Sequence, residues 1–100
     1  SEDETVISQF PGVAQCAVIG IPSDEWGESV HAVLVLVPGA ETPGEITTAE
    51  LREFCRQHIA GYKCPRTLEI VEALPLSAAG KVLKTELRKP YWETTGIQDS

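Results

Sequence analysis

Val13-Ala14-Gln15-Cys16-Ala17-Val18-Ile19-Gly20-Ile21, followed by Pro22-Ser23-Asp24-Glu25-Trp26-Gly27 and then Ser29-Val30-His31-Ala32-Val33-Leu34-Val35-Leu36-Val37, is the stretch on which the fold turns. The two flanking runs are rich in Val, Ile, Leu and Ala, the composition of strands, and the segment between them is a loop by its Pro, Ser, Asp and Gly. The runs are close enough to pair as antiparallel neighbours. Both carry apolar residues at odd and even positions, so the pattern predicts a hairpin covered on both faces, by helices on one and by a partner domain or helix on the other.

Toward the N-terminus, Val6, Ile7 and Phe10 share one side of a short helical stretch that Pro11-Gly12 ends. Beyond the hairpin, Pro38-Gly39 and Pro43-Gly44 bracket a surface excursion, and Thr47-x-x-Glu50 has the spacing of a capping box that opens a helix. Leu51, Phe54, Cys55, His58 and Ile59 then fall on one face of that helix, with Gly61 placed to end it. This periodicity puts His58 among packing residues. Leu68-Glu69-Ile70-Val71 reads as a third strand, 75–80 as a loop, and Thr85 to Tyr91 as a short helix interrupted at Pro90. The order predicts a small α+β domain, a three-stranded sheet made of a β-hairpin plus a third strand packed against helices. The domain should occupy residues 1–92, with a loose polar tail over 93–100.

At 100 residues the chain can bury one core and not two. Its 42% apolar and 23% charged content is that of a soluble globular protein, and no apolar run approaches the roughly 20 residues of a spanning helix. The net charge of −7 gives no general attraction for nucleic acid or an anionic membrane, so any anion site must be local. All the bases lie in the second half: Arg52, Arg56, Lys63, Arg66, Lys81, Lys84, Arg88 and Lys89. Ser1-Glu2-Asp3-Glu4 has no secretory character and reads as the middle of a longer protein. Cys16, Cys55 and Cys64 form no C-x-x-C pair, which predicts neither a disulfide framework nor a zinc site and suits a reducing cytoplasm. Cys16 and Cys55 sit in apolar patterns and read as small buried hydrophobes.

Metal binding has no support, since His31 and His58 lie far apart without a second ligand at suitable spacing. No Ser stands in a G-x-S-x-G elbow. Gly80-Lys81 is a glycine able to adopt unusual backbone angles before a long cation, on a loop with little apolar content. Such a lysine is charged at neutral pH and suits holding a phosphate or carboxylate oxygen rather than acting as a base. Local sequence alone favours a solvated lysine after a turn, because this is not the phosphate-cradling G-x-x-x-x-G-K-[ST] loop.

Several segments taken together give the lysine a context. Phe10-Pro11-Gly12-Val13 leading to Ala17-Val18-Ile19-Gly20-Ile21-Pro22-Ser23-Asp24 and Trp26-Gly27-Glu28 resembles the "hPxVxxAAVVGxPDxxxGE" stretch of acyl-CoA synthetases and related adenylate-forming enzymes. Tyr62-Lys63-Cys64-Pro65-Arg66 is similar to their "YKxPR" segment. Leu74-Pro75-Leu76-Ser77-Ala78-Ala79-Gly80-Lys81-Val82-Leu83-Lys84 is similar to "LPxTxxGKhxR/K", with Leu87-Arg88 as the following "LR". Ser77 stands where many members have Thr, and Lys84 where many have Arg. Glu2 and Glu4 look like the family's "ExE", which places its hinge and pantetheine-tunnel loop just upstream of Ser1. Trp26 and Gly27-Glu28 look structural, at a strand entrance.

The resemblance implies the C-terminal lid domain of an ATP-dependent, AMP-forming fatty-acid-CoA ligase, inactive by itself. Such enzymes convert a carboxylic acid and Mg-ATP to an acyl-adenylate, then rotate this domain so that CoA displaces AMP. Lys81 matches the catalytic lysine of the first half-reaction, and Gly80 lets its loop extend into the cleft. Arg56 and the Cys64-Pro65-Arg66 segment match positions that hold the CoA nucleotide in the second. ATP, Mg2+ and CoA are the implied cofactors, with Mg2+ held outside this chain, and the implied partner is a large N-terminal domain carrying the ATP and acyl pockets. Pro90-Tyr91-Trp92 points toward the fatty-acyl group. The alternatives are an aryl-CoA ligase, a peptide-synthetase adenylation domain that serves a carrier protein, or a stand-alone binding domain. Arg56 and Arg66 favour free CoA, whose phosphates need cations.

Overall fold

The computed structural model describes residues 2–25, 27–39 and 47–94. The expectations for Trp26, for Pro43-Gly44 and for the tail beyond Thr94 lie outside those residues. In chain order the elements are α1 (Glu2–Ile7), β1 (Val13–Ser23), β2 (Gly27–Leu36), α2 (Thr48–Arg56), a 3-10 turn (Gly61–Lys63), β3 (Thr67–Ile70) and α3 (Lys84–Thr94). The strands form one mixed sheet in the order β1-β2-β3. This is the α+β domain expected, a hairpin extended by a third strand.

The hairpin pairs Ser23 with Gly27 at its turn and Val18 with Ala32 at its centre. Near its open end Val13 opposes Leu36 while Gln15 opposes Val35, so Ala14 is an extra residue and β1 carries a bulge. The bulge reverses the alternation, which is why odd-numbered Val13 shares a core with Cys16 and Val18. β3 runs parallel to β2, from His31 opposite Thr67 to Leu34 opposite Ile70, and α2 supplies the crossover that parallel strands require.

β2 is central and buried on both faces: Ala32, Val33 and Leu34 are all fully inaccessible. On one face Ala32 and Leu34 pack with Val6 and Ile7 of α1 and with Leu51 and Cys55 of α2, while Phe10 meets Phe54 edge to face at 5.3 Å between centroids. On the other, Val33 joins Ala17, Ile19 and Leu74, flanked by Val82, Leu87 and Tyr91. Full burial of a Leu or Ile side chain stabilises by about 1.5–3 kcal/mol. Two thin cores of this kind share the work of one thick one.

α2 starts as the spacing predicts. The Thr47 hydroxyl accepts from the Glu50 N–H at 3.1 Å, and the Glu50 carboxylate accepts from the Thr47 N–H at 3.0 Å. It ends at Arg56 with Gln57 as its C-cap, short of the predicted stop at Gly61. His58 therefore lies beyond the helix; it is exposed, with its ring Nδ1 3.0 Å from the Phe54 carbonyl, while its neighbour Ile59 is buried in the core. The packing role expected of His58 is corrected accordingly. The predicted break at Pro90 is also absent. α3 continues through Pro90 to Thr94, past the domain boundary expected at Trp92. Proline removes a helix hydrogen bond, but side-chain contacts to the sheet hold the turn that follows. The Trp92 indole N–H donates to the Gly20 carbonyl at 3.0 Å, and the Tyr91 hydroxyl donates to Glu69.

Tyr91 belongs to a polar cluster on the face of the sheet toward α3. His31 is 4% exposed, with Nδ1 2.6 Å from the Thr67 hydroxyl and Nε2 3.2 Å from Glu69 and 3.0 Å from the Tyr91 oxygen. Because the Tyr91 proton points at Glu69, Nε2 faces lone pairs on both neighbours and carries the hydrogen itself. Burial opposes ionisation of Glu69, but the bonds from Tyr91 and His31 outweigh it and lower its pKa. Burial and the Glu69 bond raise Tyr91 to about 12. A second tie joins α1 to the rest: the Glu4 carboxylate accepts from the Val18 N–H at 2.8 Å and pairs with Lys84 at 2.7 Å. There too burial acts against the charge, and the Lys84 and Val18 bonds lower the pKa overall.

Leu51→Ala should destabilise the chain by about 2–5 kcal/mol, read as a reduced urea midpoint at unchanged slope. The depressed pKa values of Glu4 and Glu69 make stability fall as pH drops below the ordinary Glu value of about 4.3, and the raised Tyr91 value makes it fall above about 10. Tyr91→Phe should lower stability between those limits and flatten the profile at both ends, measured by urea titration across pH.

Candidate functional site

The loop predicted over 75–80 is the tip of a small hairpin. Leu76 bridges Val82 in antiparallel fashion, and the Leu83 N–H donates to the Pro75 carbonyl at 2.8 Å. Above that rung the Ser77 N–H donates to the Lys81 carbonyl at 2.8 Å, and the Gly80 N–H closes a turn on the Ser77 carbonyl at 2.9 Å. Gly80 takes φ +84°, the left-handed region, as a three-residue hairpin loop requires at this position. The Ser77 hydroxyl accepts from the Lys81 N–H at 3.2 Å and from the Ala79 N–H at 3.3 Å.

The hairpin is anchored from below and from the side. Leu74 and Val82 sit in the core facing α3. Lys84, the first residue of α3, is held by Glu4, so the chain is tied down just beyond the tip. Ala78, Ala79, Gly80 and Lys81 are exposed, and the flanking Leu76 and Leu83 remain 53% and 39% accessible. Lys81 thus stands at the end of a short, anchored arm with apolar shoulders. Beside it a cleft of about 460 Å3 opens between α1, β1 and the hairpin, lined by Glu4, Gln15, Cys16, Leu74 and Gly80 among others.

The other residues singled out from sequence lie elsewhere. Arg56 ends α2, on the opposite side of the sheet from Leu74 and Val82; it is exposed and 3.8 Å from Glu53. Arg66 is exposed just before β3, its N–H donating to the Val30 carbonyl at 2.8 Å. Cys64 and Pro65, just before Arg66, have buried side chains. Sequence reasoning missed the residue that shapes this segment. The Arg52 guanidinium donates to the carbonyls of Cys64 at 3.3 Å and Pro65 at 3.0 Å, joining α2 to the loop. Its only signal was an arginine on α2 twelve positions ahead of a loop of unknown direction. The structure therefore separates Lys81 with Gly80 on one layer from Arg56 and the Cys64-Pro65-Arg66 segment on the other.

The thiols are not poised for chemistry. Burial raises Cys16 and Cys55 to about 11 and raises Cys64 as well, which keeps all of them protonated at neutral pH. Among the described residues no group of three or more His, Cys, Asp or Glu could hold a metal ion, and no helix is long and apolar enough to cross a membrane. What the surface does present is an isolated ammonium on an arm, with separate guanidinium groups on the other layer. Both are suited to anionic oxygens supplied by another body.

Known proteins resemble this chain in sequence and in fold. A feruloyl-CoA synthase from an Amycolatopsis species is 40% identical over 91 residues, covering 91% of this chain and 18% of that protein. A long-chain-fatty-acid–CoA ligase from Mycobacterium tuberculosis is 38% identical over 94 residues, covering 94% of this chain and 18% of the relative. Among solved structures, an acyl-CoA synthetase from Brucella canis superposes with a TM-score of 0.85 at 30% identity, over 94% of this chain and 17% of the other. The chain spans less than a fifth of the length of these relatives. The family described as the AMP-binding enzyme C-terminal domain matches residues 2–81, from the start of α1 to the lysine at the hairpin tip, and the chain belongs to that family.

Proposed function

We propose that this chain is the lid domain of an ATP-dependent, AMP-forming acid–CoA ligase, and that Lys81 serves its adenylation half-reaction. The observation that carries the reading is the placement of Lys81: an exposed cation at the tip of a hairpin that is braced by its own backbone and by Glu4–Lys84, at the end of the family match. Such an arm reaches into a pocket that this chain does not contain. In adenylation a carboxylate oxygen attacks the α-phosphorus of ATP and pyrophosphate leaves. Two anions must approach each other, and the Lys81 ammonium between them offsets their repulsion and holds them in line. Mg2+, where bound, would supply charge neutralisation at the phosphates, and the residues holding it would lie in the large N-terminal domain, since the described residues here include no group that could hold a metal ion.

In the second half-reaction the CoA sulfur attacks the acyl carbon of the adenylate and AMP departs. The CoA nucleotide needs cations at its phosphates, which Arg56 and Arg66 offer from the layer away from Lys81. Opposite layers suit a domain that turns to present each face in succession. The full reaction requires ATP, the acid, CoA and the large domain, and the isolated chain is inactive. Fatty acids are the preferred substrate class, and the protein works in the cytoplasm. A second reading, an aryl acid as substrate, is supported by the 40% identity to a feruloyl-CoA synthase, and the acyl pocket of the large domain decides between the two.

In the full-length enzyme, Lys81→Ala should cut carboxylate-dependent ATP–pyrophosphate exchange by about 10²–10³-fold while CoA attack on a supplied acyl-adenylate is retained; equal loss of both would refute the role. Arg66→Ala should raise the KM for CoA by about tenfold, as expected for losing one charge-assisted hydrogen bond, with pyrophosphate exchange unchanged. A matching rise in the KM for ATP would remove Arg66 from the CoA site.

A further inference from the structure

We infer that Ser77 is the positioning residue for Lys81, acting through its hydroxyl on the Lys81 backbone. The inference rests on the reading of Lys81 as the adenylation lysine. The tip of the hairpin has three exposed N–H groups to satisfy, those of Ala79, Gly80 and Lys81, and Ser77 meets them all: its carbonyl takes the Gly80 N–H and its hydroxyl takes the other two. Its own N–H returns a bond to the Lys81 carbonyl. Lys81 is therefore held at both its N–H and its C=O by one residue.

Side chains at the tip contribute little packing. Ala78 and Ala79 are short and exposed, Gly80 has none, and Lys81 itself is exposed. The core contacts of the hairpin stop at Val82 and Leu74. Beyond them the direction in which the lysine leaves the loop depends on the turn geometry, and among the described residues the Ser77 hydroxyl is the side-chain group that braces it. A hydroxyl is required in chemical terms because the acceptor must reach N–H groups two and four residues ahead, as in the local Ser and Thr turns that compete with regular structure. Threonine supplies the same oxygen; valine supplies the shape of threonine without it.

Removing the oxygen exposes two N–H groups to water, which replaces the bonds at little cost to folding. The consequence falls on accuracy: catalytic groups displaced by about 1 Å lose roughly 10²-fold in rate. Ser77 is thus a device for rate and not for stability, and it acts in one half-reaction only.

The test uses the full-length parent enzyme with Ser77→Thr, Ser77→Val, Ser77→Ala and Lys81→Ala, following pyrophosphate exchange, CoA attack on supplied acyl-adenylate, and Tm. Ser77→Val and Ser77→Ala should lower the kcat of exchange by about 10-fold or more with thioester formation and Tm near those of the parent, and Ser77→Thr should keep the parent rate. Ser77→Ala guards against a valine that disturbs folding through its bulk. Full exchange activity in Ser77→Ala, alongside loss in Lys81→Ala, would overturn the positioning role and leave the reading of Lys81 standing. A parallel fall in both half-reactions with Tm would show a structural residue and overturn it equally. An active Lys81→Ala enzyme would sink the underlying reading and this inference with it.

Discussion

The burial of β2 on both faces is the constraint from which the remaining structure follows. Ala32, Val33 and Leu34 are inaccessible in succession, so neither side of the sheet can be left to water. A domain of this size cannot build a deep core. It covers one face with α1 and α2 and the other with α3 and the segment running from Leu74 to Val82. The irregular chain before α3 is thereby recruited as cover. Its anchored residues are apolar, and its excess length projects as the hairpin that carries Lys81.

That division of labour also explains why the basic residues are dispersed. Arg52 and Arg56 belong to the helix on one layer, and Lys81 and Lys84 to the segment on the other. Arg52 and Lys84 are spent on holding the fold, through the Cys64 and Pro65 carbonyls and through Glu4 respectively. Arg56 and Lys81 are exposed. Basic residues that look equivalent along the sequence thus divide between structure and surface, and only the packing tells them apart.

Much of this was legible in the residues. The Val13–Val37 stretch showed the hairpin and its two covered faces, and Thr47-x-x-Glu50 marked the start of α2, because both signals are local. What failed was non-local. The length of α2 was overread because His58 and Ile59 continue the apolar period after the helix has ended at Arg56. Pro90 was read as a break because the anchorage of Tyr91 and Trp92 comes from β3 and β1. The cluster of His31, Glu69 and Tyr91 joins three elements far apart in the chain, and no spacing rule connects them. A polar His31 inside an apolar run was the available hint, since a buried imidazole must find partners. The bulge at Ala14 left no signature at all. For the candidate site, the turn ahead of Lys81 was readable from its Ser, Ala and Gly, whereas the hairpin bonds that brace it required coordinates.

The ties to Glu4 and Trp92 have a bearing on how this domain keeps to itself. β1 is an outer strand of the sheet, and the side of it away from β2 would ordinarily present N–H and C=O groups to any passing extended chain. Val18 and Gly20 have the same parity on that strand, and one outward group of each is taken: the Val18 N–H by Glu4 and the Gly20 carbonyl by Trp92. Two side chains, one from each end of the described chain, occupy the docking points on which a fourth strand would begin. Intermolecular β-pairing, the common route from a small exposed sheet to aggregation, is hindered at those two points of the edge by the same contacts that seat the first and last helices.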